Sequence, residues 1–371
     1  MNPTKTNSLP RQSGARRISS SMLTDAHRFD CHCFIVPARV LKRFAADKKL
    51  SAKGRKCFAD AAKFEKEWRE QRLTNAKFIT VAQAILPSDL VVSPPEILVD
   101  DCAHGNALPG SPVLNPGTSS DATANRAFVE TAAVAKFYQT VFGRNSVDNA
   151  GMNLLSSIHF SVNYNNAFWN GRQMIYGDGD GNIFVDFTNA NDVIGHELTH
   201  GVTQFSAGLV YENEAGGLNE SISDVFGSMF RQWRADQDVA SADWLIAKEI
   251  MGPGAIARGF SCLRDLSNPG ASHCLAPQPT KFSQYRDGMD PHESSGIPNL
   301  AFYRAAIAIG GKSWEKAGQI WYQALTGFPR KPRLRMREFA KRTRDLASSL
   351  FPTEPAVRVA VNAAWKAVGL G

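Results

Sequence analysis

The sequence predicts an α+β fold in two lobes, with strands ahead of one histidine-bearing helix and helices behind it. Three observations carry this reading. Segments of β-branched or alternating character end before Asn191, whereas apolar residues recur at helical spacing from Val202 to the C-terminus. Between them, residues 191–200 place two imidazoles and a carboxylate at a spacing that only a helix makes useful. Strands followed by helices form segregated layers, and the junction between such layers is where a site is expected.

In chain order, residues 1–27 have the composition of a disordered segment. Residues 31–44 are a short apolar stretch that breaks at Pro37 and resumes as a short helix. Residues 51–73 are strongly helix-forming, with Phe58, Ala61, Ala62, Phe64, Glu65 and Trp68 on one stripe. This first fifth is basic, lacks a strand pattern and reads as an appendage. Residues 78–90 read as a strand and 101–120 as a loop rich in Gly, Pro, Asn and Ser. Residues 122–142 repeat apolar side chains at helical spacing and stop at Gly143. Residues 158–162 alternate as a strand does, and 173–176 and 183–187 flank Gly177-Asp-Gly-Asp-Gly-Asn182 as hairpin arms. A helix-loop-helix calcium site is excluded there, because Ile183 and Asn189 occupy the positions that require Gly and Glu. Helices are expected at 218–234, 244–251, 296–309, 314–325, 337–350 and 356–368, with main loops at 213–217 and 252–284.

Composition bounds the function. At 371 residues, with 43% hydrophobic and 21% charged residues, the chain suits two or three domains of a soluble globular protein. No run approaches the roughly 18 apolar residues of a membrane span, and the N-terminus lacks the apolar centre of a signal peptide. The net charge of +7 is uneven: residues 1–73 hold 17 of the 42 basic residues against 7 of the 35 acidic ones. A second basic run, residues 330–337, opens a C-terminal helix. These runs read as solvated faces rather than as a nucleic-acid surface, because the excess lies outside the main body of the chain. Cys262 and Cys274 flank a loop that a disulfide could close in an oxidising compartment; buried thiols are the default for the others.

The chemistry begins at His196-Glu-Leu-Thr-His200. On a helix the two histidines lie about 40° apart and face one ion, while Glu197 is rotated about 100° to stand beside it as a base. A catalytic zinc takes three protein ligands. Glu220, twenty residues past His200, can reach the metal as a third ligand, while Asp224, one turn on, can accept the free N–H of a ligand histidine. The competing metzincin pattern is excluded, since Thr203 and Ser206 stand where it needs Gly and His.

Together with Asn219-Glu220-x-x-Ser223-Asp224, this motif resembles the thermolysin-like zinc metallopeptidases. The segments 165–171, 176–181, Tyr211-x-Asn213-Glu214 and Asp287-x(4)-His292-x-x-Ser295-Gly296-Ile297-x-Asn299 extend the resemblance over about residues 95–371. It implies a two-lobe zincin fold with one catalytic zinc on His196, His200 and Glu220 and with Glu197 as general base. It further implies that His292 and Tyr211 donate to the oxyanion, that Asp287 orients His292, and that Asn166, the Ala167 backbone and Arg264 hold the substrate strand. Phe184, Phe187, Val193, Ile246, Ile250 and Leu263 would line a pocket for a bulky hydrophobic residue after the cleaved bond.

Two departures matter. The family's paired-calcium site draws on acids near the metal helix, where this chain has Asp192 and Asp243 but also Arg231, Leu245 and Lys248. That site is therefore expected to be lost or replaced by an ion pair to Arg231. The segment 34–41 resembles the short propeptide motif of the protealysin branch, with Ala38 where a second proline is usual. Residues 1–73 are then an inhibitory pro-segment, with Pro37 and its neighbours laid on the cleft and the positive charge suited to an acidic face. Residues 74–205 and 206–371 form the two catalytic lobes. The expected protein is a monomeric proenzyme acting on protein or peptide substrates, with no nucleic-acid or membrane partner. Secretion by a route not visible in the sequence is expected, with a cytoplasmic location as the alternative. A zinc-binding pseudoenzyme would be expected to lose Glu197 or His292, and both are present.

Overall fold

The computed structural model describes residues 33–75 and 93–371. Its first segment holds β1 (Cys33–Phe34), α1 (Ala38–Ala45) and α2 (Ala52–Asn75). Pro37, at φ −61°, precedes α1, and that helix buries Val40, Leu41 and Phe44. The first lobe follows with β2 (Ile97–Asp101), β3 (Ser111–Pro112), α3 (Ala122–Phe142), β4 (Leu154–Ile158), β5 (Ala167–Trp169), β6 (Met174–Tyr176) and α4 (Asn191–Phe205). The second lobe is mainly helical: α5 (Asn213–Arg234), β7 (Leu245–Ile246), α6 (Pro253–Ile256), β8 (Arg264–Asp265), α7 (Pro291–Ser294), α8 (Gly296–Ile309), α9 (Lys316–Thr326), α10 (Met336–Leu350) and α11 (Pro355–Ala367).

Among the described residues six strands form one mixed sheet in the order β1-β5-β6-β4-β2-β3. The sheet is parallel through β6, β4 and β2 and antiparallel elsewhere. β1 therefore comes from the appendage and adds itself to the edge of the catalytic sheet, pairing Cys33 with Trp169 and Phe34 with Phe168. The two residues are too short a strand to leave an alternation in the sequence. α3 lies where its pattern placed it, with the Asp121 carboxylate accepting the Thr123 and Ala124 N–H groups and Gly143 closing it at φ 65°.

Elsewhere local pattern gives way to tertiary structure. The strand expected at 158–162 lies earlier, at β4, and His159 and Ser161 take positive φ. β6 pairs with β5 rather than with residues 183–187. The reason is Asp180, whose carboxylate accepts the N–H groups of Asn182, Ile183 and Phe184 and winds that run into a loop. The helix expected at 244–251 is β7 followed by a single 3₁₀ turn, with Trp244 and Ala247 at positive φ on either side of the strand. Residues 213–217, expected as loop, are the first turn of α5. The strand expected at 78–90 and the disordered segment at 1–27 lie outside the described residues.

In the second lobe, Trp321 and Trp365 stack at 5.9 Å and Phe302 and Phe339 close around them, which locks α8, α9, α10 and α11 together. The basic run at 330–337 is partly consumed in ion pairs, Lys331 to Glu338 and Arg333 to Glu212. Among the described residues no helix is long and apolar enough to cross a membrane.

Candidate active site

α4 and α5 pack against each other along their lengths, and the closeness of that contact builds the site. A Cβ at Gly227 would stand 2.5 Å from the Asp192 carbonyl oxygen, so only glycine lets the helices approach this far. Glu220 is thereby brought onto the two histidines of α4. The Nε2 atoms of His196 and His200 lie 3.0 Å apart, and each is 3.5 Å from a Glu220 carboxylate oxygen. Ligands about 2.0–2.2 Å from a tetrahedral zinc stand about 3.3–3.5 Å from one another, so this donor set fits such an ion. All three side chains are fully buried.

The outer ring nitrogens are held as metal ligands require. His196 Nδ1 lies 3.0 Å from Asp224 Oδ1, and His200 Nδ1 lies 2.9 Å from Asn219 Oδ1 and 3.0 Å from Ser223 Oγ. Burial lowers His200 to about 3, which keeps the imidazole neutral and its lone pair available. Asp224 also takes two bonds from Arg264, at 2.8 and 2.6 Å, and one from Asn299 Nδ2 at 2.9 Å. Those partners outweigh its burial and hold its carboxyl below the usual range.

Glu197 is fully buried, and neither of its oxygens makes a hydrogen bond of normal geometry. Burial first, and then the nearby Glu220 carboxylate, push its pKa well above the usual carboxylate range. His292 is buried as well, but Glu220 and Asp290 outweigh that burial and raise it. Its Nδ1 is 2.8 Å from Asp290 Oδ1, and its Nε2 is 3.2 Å from the Tyr211 hydroxyl. Tyr211 in turn donates to Glu220 Oε1 at 2.5 Å.

The strand-like run 34–36 lies across this group. His292 Nε2 donates to the Phe34 carbonyl at 2.5 Å, Ile35 N donates to Ala167 O at 3.1 Å, and Arg264 Nη1 donates to Ile35 O at 2.9 Å. Asn166 brackets Val36, accepting its N–H at 2.9 Å and donating to its carbonyl at 3.1 Å. Behind the strand, Phe58 of α2 packs on Phe44 and on Phe184, while Phe64 meets Phe160, Tyr164 and Phe168. Ion pairs add to this contact: Arg39 meets Glu293 at 3.1 Å and Asp47 meets Arg258 at 2.8 Å, of opposite polarity.

Most residues expected at the site converge there. Phe184, Phe187, Val193, Ile246, Ile250 and Leu263 are all fully buried, and Pro37 follows the strand directly as the residue that opens α1. Asp287 is the exception. It accepts from Tyr285 at 3.0 Å, while Asp290 is the residue on His292, because Asp290 caps α7 by accepting the His292 N–H and so stands under its ring. Sequence reasoning also missed Glu65, buried in α2, whose Oε1 accepts from Asn166 Nδ2 at 2.5 Å. The signal was a carboxylate inside an otherwise apolar stripe. At the acid cluster beside α4, the Arg231 guanidinium bonds Asp192 at 2.8 Å and Asp243 at 2.5 Å, with Glu249 3.7 Å away.

Comparison with known proteins agrees with this geometry. The description of the thermolysin metallopeptidase catalytic domain matches residues 113–204, and that of the thermolysin metallopeptidase alpha-helical domain matches residues 207–370. An extracellular metalloprotease of Pectobacterium carotovorum subsp. carotovorum is 41% identical over 73% of this chain and 80% of its own length. Protease PrtS of Photorhabdus sp. (strain Az29) is 36% identical over 84% of this chain and 89% of its own. The solved precursor of protealysin, a metalloproteinase from Serratia proteamaculans, aligns with a TM-score of 0.77 at 35% identity, covering 91% of this chain and 99% of that one. The chain belongs to the thermolysin family of zinc-dependent metalloendopeptidases.

Proposed function

We propose that His196, His200 and Glu220 hold the zinc ion of this endopeptidase and that residues 33–36 block its cleft in a precursor until the segment before the catalytic lobes is removed. The observation that carries the reading is the hold on Phe34–Val36: Asn166, Ala167, Arg264 and His292 grip one peptide strand directly beside three convergent ligands. The bond between Phe34 and Ile35 lies where a scissile bond would, with its carbonyl on His292.

Zinc, when bound, supplies a Lewis acid that lowers the pKa of water to about 7 and polarises the substrate carbonyl. Glu197, desolvated and raised, takes the proton from the attacking water and delivers it to the departing amine nitrogen. His292 reaches the oxygen on which negative charge develops through its Nε2–H, with Asp290 holding Nδ1, and Tyr211 stands next to it as the second donor. Arg264 fixes the following carbonyl while tied to Asp224, and Asp224 is tied to His196, so substrate grip and metal ligand share one carboxylate. Asn166 and the Ala167 carbonyl set the strand in register. Asp287 keeps no role here. In the blocked state Ile35 takes the place of the residue after the cleaved bond, and a pocket of Phe184, Phe187, Val193 and Leu263 favours bulky hydrophobic side chains there.

Arg231 stands in for paired calcium at the acid cluster, so we propose that this site needs none. We further propose a secreted monomer. One relative is named an extracellular metalloprotease, and no export route is assigned. The test is Glu197→Gln. The variant should retain one catalytic zinc and lose hydrolysis of casein; a variant as active as wild type, or wild-type protein purified without zinc, would overturn the reading.

A further inference from the structure

Arg264 is presented by β8, and the turn beside that strand carries two cysteines that the peptidase chemistry does not use. Cys262 and Cys274 are buried free thiols, facing each other across an isolated bridge with their sulfurs 3.8 Å apart. Two thiolates about 2.3 Å from one tetrahedral ion stand about 3.8 Å apart. His273 supplies an imidazole: one ligand atom from each of Cys262, His273 and Cys274 falls within 4.8 Å of the other two.

The surroundings are those of a held ligand set. Asp265 Oδ2 lies 3.2 Å from His273 Nε2, and the same carboxylate is fixed through Oδ1 by the Ser267 N–H and hydroxyl at 2.8 and 2.6 Å. A proton on Nε2, given to Asp265, leaves the lone pair on Nδ1, and a carboxylate behind a ligand imidazole is the usual support for a metal. Backbone bonds from Ser261 N to His273 O and from Leu275 N to Cys262 O close the turn at both ends. With Ala271 the two cysteines form an apolar cluster separate from the main core, and the His273 side chain is 40% exposed, which leaves an ion a way in.

We propose that Cys262, His273 and Cys274 form a second metal site, selective for a thiophilic divalent ion such as zinc, which braces the turn that presents Arg264. Binding forms two sulfur bonds and one nitrogen bond to the ion and releases the two thiol protons, with no change of oxidation state. The fourth position is left to water.

The test uses the full chain carrying Glu197→Gln, which prevents self-digestion, equilibrated with zinc and then freed of unbound ion. Metal analysis should give two zinc ions per chain, falling to one with Cys262→Ser/Cys274→Ser and with His273→Ala. Cadmium in place of zinc should give thiolate charge-transfer absorption that the double serine variant lacks. The exposed His273 serves where the double variant fails to fold. One zinc per chain with and without His273 would overturn the proposal, and so would a cross-linked Cys262–Cys274 peptide in a digest of the unreduced protein.

Discussion

Replacing Arg231 with alanine gives the sharpest stability prediction. Asp192 is fully buried, and its Oδ2 accepts from Arg231 Nη1 at 2.8 Å and from the Ala247 N–H at 2.9 Å, while Oδ1 has no hydrogen-bond partner. Without the guanidinium, one backbone N–H remains for a buried charge, and breaking a buried pair from one side costs about 3–5 kcal/mol. For a lobe of this size that corresponds to a fall of roughly 10 °C in melting temperature. Burial and Asp192 already raise Glu249, so the acids crowd one another, and Arg231 is what offsets them. The assay is denaturant and thermal unfolding of Glu197→Gln protein with and without Arg231→Ala, in EGTA and in calcium. The variant should be strongly destabilised in EGTA and recover part of the loss in calcium, whereas the parent should be indifferent to calcium at this site. A variant within about 0.5 kcal/mol of its parent would refute the reasoning.

Two further perturbations separate chemistry from scaffold. His292→Ala in the mature enzyme should lower kcat about 100- to 1,000-fold with a smaller change in KM, because its bond strengthens as charge develops on the carbonyl oxygen; steady-state kinetics showing only a few-fold loss would contradict that role. His159 is raised to about 9, chiefly by its hydrogen bond to Asp178 and then by Asp121, against its burial. Its folded value lies above the ordinary one of about 6.5, so its contribution is complete below about pH 6.5 and fades as pH rises towards 9. With its side chain only partly buried, it is worth only about 1 kcal/mol after solvent screening. Denaturant midpoints of His159→Gln should therefore lie below those of wild type near pH 6 and converge with them above about pH 9, and a constant gap would argue against it.

What could be read in the sequence followed from how local each signal is. His196, Glu197 and His200 share one turn of α4, and α3 announces itself by its apolar spacing and its stop at Gly143. Sequence periodicity could not see β7, because Leu245 and Ile246 become a strand only by pairing with Asp265 and Arg264 some twenty residues on. The false hairpin arose in the same way: one Asp180 side chain satisfies three backbone amides, and alternation carries no trace of that. Asp290 displaced Asp287 beside His292 through the geometry of a four-residue helix. Glu65 and β1 were hidden because each acquires its meaning only from Asn166 or from the edge of β5, a hundred or more residues away.

We propose that the catalytic zinc site is complete in the precursor and closed by its own chain. It is tested most directly by measuring zinc content and hydrolysis of a Phe–Ile peptide bond in the same preparation, before and after the first segment is cut away. Both forms should carry the catalytic zinc, and only the processed form should hydrolyse the peptide. An intact precursor, verified by mass, that turns over as fast as the processed enzyme would contradict the account.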